Sequence, residues 1–215
     1  MSSINYVQAD LRFLLPIKPG QRVAVLGHAP GLVMALDEAE ADCTLVLDDK
    51  LKEGSDLPCN PVQVSGDHLP FTAVSLHHLF IPQLSATQAP WLAKEIRRVL
   101  KPEGWLFVGV RNRHSFHQLH LGKSNRYSLT LAQLKQLLPS PYWQIHQCYG
   151  VHDDLQHPQY LIPLDMTTAV SYFYQQIFMP NSLAGAWIQR LAQYLNQLGG
   201  NPLLFKDLGI TAQQI

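Results

Sequence analysis

Cysteine is scarce: Cys43, Cys59 and Cys148 are the only three in 215 residues, and no C-x-x-C pair occurs. An odd, scattered set speaks against both a disulfide framework and a zinc knuckle. Net charge is missing as well. Lys and Arg total 16 and Asp and Glu total 16, so no overall field gathers nucleic acid or anionic lipid. Arg111, Arg113, Lys123 and Arg126 form the one local excess of positive charge, too thin for a nucleic-acid reader. No apolar run reaches membrane-spanning length. The opening MSSINYVQADLRFLL has no basic stretch ahead of an apolar one, which reads against a signal peptide. The expectation is a cytoplasmic protein without nucleic-acid or membrane partners. Three catalytic signatures are absent too. Without G-x-S-x-G, G-x-x-x-x-G-K-[ST] or G-x-G-x-x-G, the α/β-hydrolase, P-loop and nicotinamide-cofactor classes lose their support.

What is present alternates. RVAVLG (22–27), CTLVLDD (43–49), NPVQVSGD (60–67), SLHHLFI (75–81, closed by Pro82) and WLFVGV (105–110) read as buried strands. Between them, residues 31–39 and 91–100 read as helices through Leu32, Leu36 and Ala39, and through Leu92, Ile96, Val99 and Leu100. An earlier helix is expected over 5–15 from Val7, Leu11, Leu14 and Leu15. Another begins at Thr130, where Gln133 has capping-box spacing, and ends at Pro139. WQIHQCYGV (143–151) and QYLIPL (159–164) lie too close for a crossover helix, which predicts an antiparallel pair at a sheet edge. Alternating strands and helices predict a mostly parallel α/β sheet covered on both faces. After residue 165 the pattern turns helical, with stripes Val170–Phe173–Ile177 and Leu183–Trp187–Leu191–Leu195–Leu198. The division expected is an α/β domain over 1–165 and a helical extension over 166–215, which could also pair two chains as a homodimer.

Ligands of such sheets sit beyond the carboxyl ends of the strands. Gly27 to Gly31, Asp48 with Asp49, Gly66 to Phe71 and Ile81 to Leu84 fall there. A carboxylate ending the second strand, Asp48, could hold both hydroxyls of a ribose, or could be a solvated strand-end charge. His114, His117 and His120 recur every third residue. With no Asp, Glu or Cys beside them, they read as loop residues rather than a metal site. His77 and His78 alternate across one strand and cannot chelate a single ion.

EIRRVLKPEGWLFVGVRN (95–112), GDHLPF (66–71) and SLHHLFIPQ (75–83) together resemble the class I S-adenosylmethionine-dependent methyltransferases, and RNRHSFHQL (111–119) is similar to a loop of their bacterial, type 11 branch. The resemblance spans roughly residues 20–165. It implies a Rossmann-like, seven-stranded sheet with an antiparallel edge strand. It also implies S-adenosylmethionine as cofactor, held by Gly27, His28, Ala29, Gly31, Asp48, Asp49, Asp67, His68 and Ile81. The acceptor would be a small molecule or peptide, with His77, Gln83 and His114 as polar candidates beside it and no metal. Departures from the family pattern stand in the first motif and on the fourth strand. Val25 replaces the acid that binds the methionine ammonium group, and His77 replaces the acid of the fourth strand. Ala29 adds a methyl group where the backbone approaches the ligand, and Pro30 removes an N–H. These leave a second reading, a non-catalytic binding or scaffolding protein on the same fold.

Overall fold

Register, rather than composition, sets the architecture. In a computed structural model, which describes residues 10–47, 58–59, 61–64, 67–116, 128–155, 158–174 and 183–215, one sheet runs through the whole chain. Its strands are β1 (Arg22–Leu26), β2 (Asp42–Leu47), β3 (Pro61–Gln63), β4 (Leu76–Leu84), β5 (Leu100–Arg111), β6 (Trp143–Asp153), β7 (Pro158–Pro163) and β8 (Asp207–Gln214). They lie in the order β3-β2-β1-β4-β5-β8-β6-β7. The pairs β3–β2, β2–β1, β1–β4 and β4–β5 are parallel, whereas β5–β8, β8–β6 and β6–β7 are antiparallel. β1 to β6 therefore share one direction, and β7 and β8 oppose it.

The helices are α1 (Pro30–Glu38), α2 (Ala89–Val99), α3 (Leu131–Gln136), α4 (Thr167–Tyr172) and α5 (Leu183–Gln197). α1 buries Leu32, Val33 and Leu36 against Val23, Val25, Leu45 and Phe80 on one sheet face. On the other face α2 buries Leu92, Ile96 and Val99 against Leu79, Ile81, Leu106 and Val108, and Leu134, Val170 and Phe173 extend the same core. α3 has the expected capping box: Gln133 N–H donates to the Thr130 hydroxyl, and Thr130 N–H donates to the Gln133 side chain. Both orphan donors at the helix start are thereby satisfied.

Four expectations need correction. The sheet has eight strands among the described residues, not seven, because 166–215 is not helical to its end: β8 closes the chain and sits inside the sheet between β5 and β6. A boundary at 165 thus cuts through the sheet. Of the helix expected over 5–15, residues 11–14 form a single 3-10 turn capped by Asp10, and residues 1–9 lie outside the described set. β4 does not stop at Pro82. Ile81 pairs with Val108 and Leu84 with Val110, so Pro82 and Gln83 together oppose Gly109 in a bulge. A bulge is where a strand tolerates a residue without an N–H. Finally, the tail stripes are only half covered. Val170 and Phe173 are buried and Ile177 lies outside the described residues, but Trp187, Leu191 and Tyr194 along one face of α5, and Leu198 just past its end, are exposed. That face is what a homodimer of the expected kind would cover.

Candidate functional site

The crevice begins where β1 ends. Gly27 donates its N–H to the Val46 carbonyl at 2.8 Å and turns with φ of +100°, a backbone region open to glycine at no steric cost. Ala29 then caps α1, and its methyl group is 2% exposed, packed in the core on the α1 face with Leu32 and Val33. The extra methyl group therefore points into the protein and not toward the crevice. Pro30 takes a first helical position, where a missing N–H has no intrahelical acceptor to lose. A Cβ built on Gly27 or Gly31 would meet nothing within 4 Å, so the space above the loop is open. The departures at Ala29 and Pro30 are thus harmless locally. The one at Val25 is real: Val25 is fully buried beneath α1, and an acid for an ammonium group has no substitute at that position. His28 is exposed on the loop, while Asp48, Asp49 and Gly66 lie outside the described residues.

Asp67 and His68, both exposed, follow β3 at the same sheet end. Their segment is pinned from below by a pair the sequence reading passed over. Glu95 of α2 accepts the Leu69 N–H at 2.8 Å and two bonds from the Arg98 guanidinium at 2.8 and 2.6 Å. Arg98 also donates to the carbonyls of Phe71 and Leu69. His68 Nδ1 lies 3.5 Å from Glu95 Oε1. The signal was present in the sequence, since Glu95 falls on the same helical face as Leu92, Ile96 and Val99, where only a paired carboxylate survives burial. Hydrogen bonds from Arg98, the largest cause, hold the Glu95 carboxyl at about 2 against an ordinary 4.5. A depressed folded-state pKa stabilises the fold above the ordinary carboxylate range, and the gain is lost as pH falls from 4.5 toward 2. Glu95→Ala leaves the buried Leu69 N–H and the Arg98 guanidinium without their acceptor. It should cost about 1–3 kcal/mol at neutral pH. Urea melts across pH 2–7 should show the parent losing that margin below 4.5 and the variant running flatter there; parallel curves would refute the assignment.

The polar candidates separate. Gln83 is exposed in the bulge at the carboxyl end of β4, and His114 is exposed just past β5, its N–H donating to Asn112 Oδ1 at 3.1 Å. His77 is at the opposite end of the sheet. Its Nδ1 accepts the Arg22 N–H at 3.0 Å and its Nε2 lies 2.8 Å from Lys101 Nζ, where burial, Lys101 and Arg22 all lower its pKa. It lies at the amino ends of β1, β4 and β5, away from the crevice at their carboxyl ends. His78 is buried behind it, bonded to Gln21 and lowered to about 4 by burial. Ile81 is 1% exposed and belongs to the core on the α2 face rather than the crevice surface. His117 and His120 lie outside the described residues, and no cluster of three metal-ligating side chains occurs among those described.

The carboxyl edge also carries groups not singled out from sequence. Buried Asn112 donates to the carbonyls of Pro202 and Phe205 at 2.6 and 2.9 Å, tying the end of β5 to the turn before β8. Asp207, 2% exposed, sits 3.4 Å from Arg111 Nε. Burial raises its pKa, and Arg111 opposes the shift.

No protein-family model and no curated protein matches the chain. Solved structures do. A SAM-dependent methyltransferase from Archaeoglobus fulgidus superposes with a TM-score of 0.57 at 14% identity, covering 94% of this chain and 90% of that one. The geranyl diphosphate C-methyltransferase of Streptomyces coelicolor, in complex with S-adenosyl-L-homocysteine, gives 0.54 at 12%, covering 92% and 74%. The [4+2]-cyclase SpnF gives 0.53 at 15%, covering 92% and 75%. The chain has the Rossmann-like fold of these proteins, with its mostly parallel sheet and antiparallel strands near one edge. No helix among the described residues is long and apolar enough to cross a membrane.

Proposed function

We propose that the protein is an S-adenosylmethionine-dependent methyltransferase of the type 11 kind, acting on a small-molecule or peptide-borne acceptor. The observation that carries this reading is the first turn: Gly27 and Gly31 face open space while the methyl group of Ala29 is tucked into the core. The Gly27–Gly31 loop would hold the cofactor from one side, with Asp48 and Asp49 on its ribose and Asp67 and His68 near its adenine. When bound, the cofactor supplies an electrophilic methyl group on a sulfonium. The chain's own part is to align an acceptor atom with that methyl group. Gln83 and His114 would orient the acceptor, or take a proton if it must lose one.

Buried Val25 favours the second reading, a binding or scaffolding protein that does not methylate, and the cyclase among the structural neighbours shows that the fold is not tied to one named activity. Calorimetric titration with S-adenosylmethionine and S-adenosylhomocysteine separates the two. Binding weaker than is usual for such enzymes is expected, because the ammonium group lacks its acid. Asp48→Ala should cost a further 1.5–3 kcal/mol or so, as for hydrogen bonds to a charged group. A flat titration at millimolar ligand would leave the scaffold reading.

A further inference from the structure

A cavity of about 570 Å³ opens at the carboxyl ends of β5 and β6 and the amino end of β8. Its volume falls within the range of roughly 300–1,000 Å³ typical of small-molecule sites. Most of its wall comes from the segment between β7 and β8: Phe173 and Tyr174 at the end of α4, Leu191 of α5, and Leu204 to Lys206 in the turn entering β8. The tail thus builds a chamber as well as completing the sheet.

The wall is aromatic and its rings are fixed. Phe205 lies against Gly150, where a Cβ would come within 2.3 Å of the ring. Its carbonyl is held by Asn112, and the Tyr174 hydroxyl donates to the Leu204 carbonyl at 3.2 Å. Phe173 stands edge-on to Tyr174 and to His152, with centroids 5.1 Å apart in each pair. Rings packed edge-to-face against one another line the cavity and offer it both faces and edges, which suits an aromatic body able to find complementary quadrupoles. The charges at the chamber, Asp153 and Lys206, are one of each sign and leave no net preference for an ion. Burial lowers the pKa of His152, with the Asp153 carboxylate opposing the shift.

We propose that this chamber is a binding site for an uncharged, flat, aromatic small molecule. It lies one to three strand positions from β4, roughly 5–14 Å at 4.8 Å per strand. The ligand's role as methyl acceptor rests on the methyltransferase reading; its binding does not.

The test is a fluorescence titration of the full chain with N-phenyl-1-naphthylamine, a neutral aromatic probe, without adenosyl cofactor. One saturable site per chain is expected. Leu191 is 46% exposed at the rim, so Leu191→Trp should leave the fold intact while filling the chamber. It should weaken the probe by about tenfold or more, the equivalent of a modest overpacking penalty. Phe116→Trp, on the opposite wall, should act in the same direction and stands in if the first variant does not melt cooperatively. Trp187→Ser, on the exposed stripe of α5 and outside the chamber, should bind like the parent. Unsaturable binding, parent-like affinity in both filled variants, or loss in Trp187→Ser would overturn the assignment by placing the probe on the surface stripe. Failure of the adenosyl titration with this site intact would remove methyl transfer and leave the chamber standing.

Discussion

Gly109→Ala is expected to destabilise the fold by more than about 3 kcal/mol, beyond the usual cost of overpacking a core. Gly109 lies in β5 opposite the β4 bulge, where Pro82 and Gln83 share one facing position. That bulge aims the Pro82 carbonyl at Gly109: an added Cβ would stand 2.2 Å from this oxygen and 2.5 Å from a Leu155 methyl. Leu155 could rotate away, but the carbonyl belongs to a central strand and can move only if the β4–β5 ladder moves with it. Against a total stability of about 5–15 kcal/mol, the loss is severe. The same bulge turns Gln83 outward at the crevice, so the glycine and the candidate acceptor residue are two consequences of one extra residue. Gly31→Ala is the matched control. It sits in α1, and its Cβ would meet nothing within 4 Å, so it should be neutral or slightly stabilising in denaturant melts. Equal stability of the two variants would show that β4 relaxes at the bulge with little resistance.

The parallel half of the fold was legible in the chain because its signals are local and redundant. β1, β2 and the core of β5 are short apolar runs bounded by Gly, Pro or Asp, and α2 carries three apolar residues on one face. The capping box of α3 could be read from two residues alone. β8 could not. DLGITAQQ is buried on both faces from Asp207 to Ala212, yet Leu208, Ile210 and Ala212 alternate with Asp207, Gly209 and Thr211 and are followed by two glutamines. Its identity as a strand comes from the slot between β5 and β6, a tertiary effect that no window of eight residues reports. The direction of the Ala29 methyl group was hidden for a related reason. Sequence gives the methyl group, but the conformation around Gly27 decides whether it faces ligand or core. His77 matches the family's fourth-strand acid only by resemblance; the register sets it at the start of β4, against Arg22 of β1 and Lys101 of β5.

A chain ending at Lys206 is expected to be insoluble, for it removes a strand from the middle of the sheet. β8 pairs with Trp105–Arg111 of β5 on one side and with Trp143–Val151 of β6 on the other. Its loss leaves two long unpaired edges facing a gap of about 10 Å, too wide for either to bond across. Such edges recruit strands from other chains. Leu208 and Ile210, both fully buried, would forfeit roughly 1.5–3 kcal/mol each. Phe107, whose ring lies against Gly209, would lose its floor. Cutting earlier, after Asp165, should fail in the same way, because both truncations lack the same strand. If only the earlier cut aggregated, the helices α4 and α5 would be the elements holding the protein together. A peptide of residues 206–215 added during refolding of the Lys206-terminated chain should restore solubility by strand addition. A truncated protein that stayed monomeric and melted within a few degrees of the parent would show that β5 and β6 can close on each other without β8.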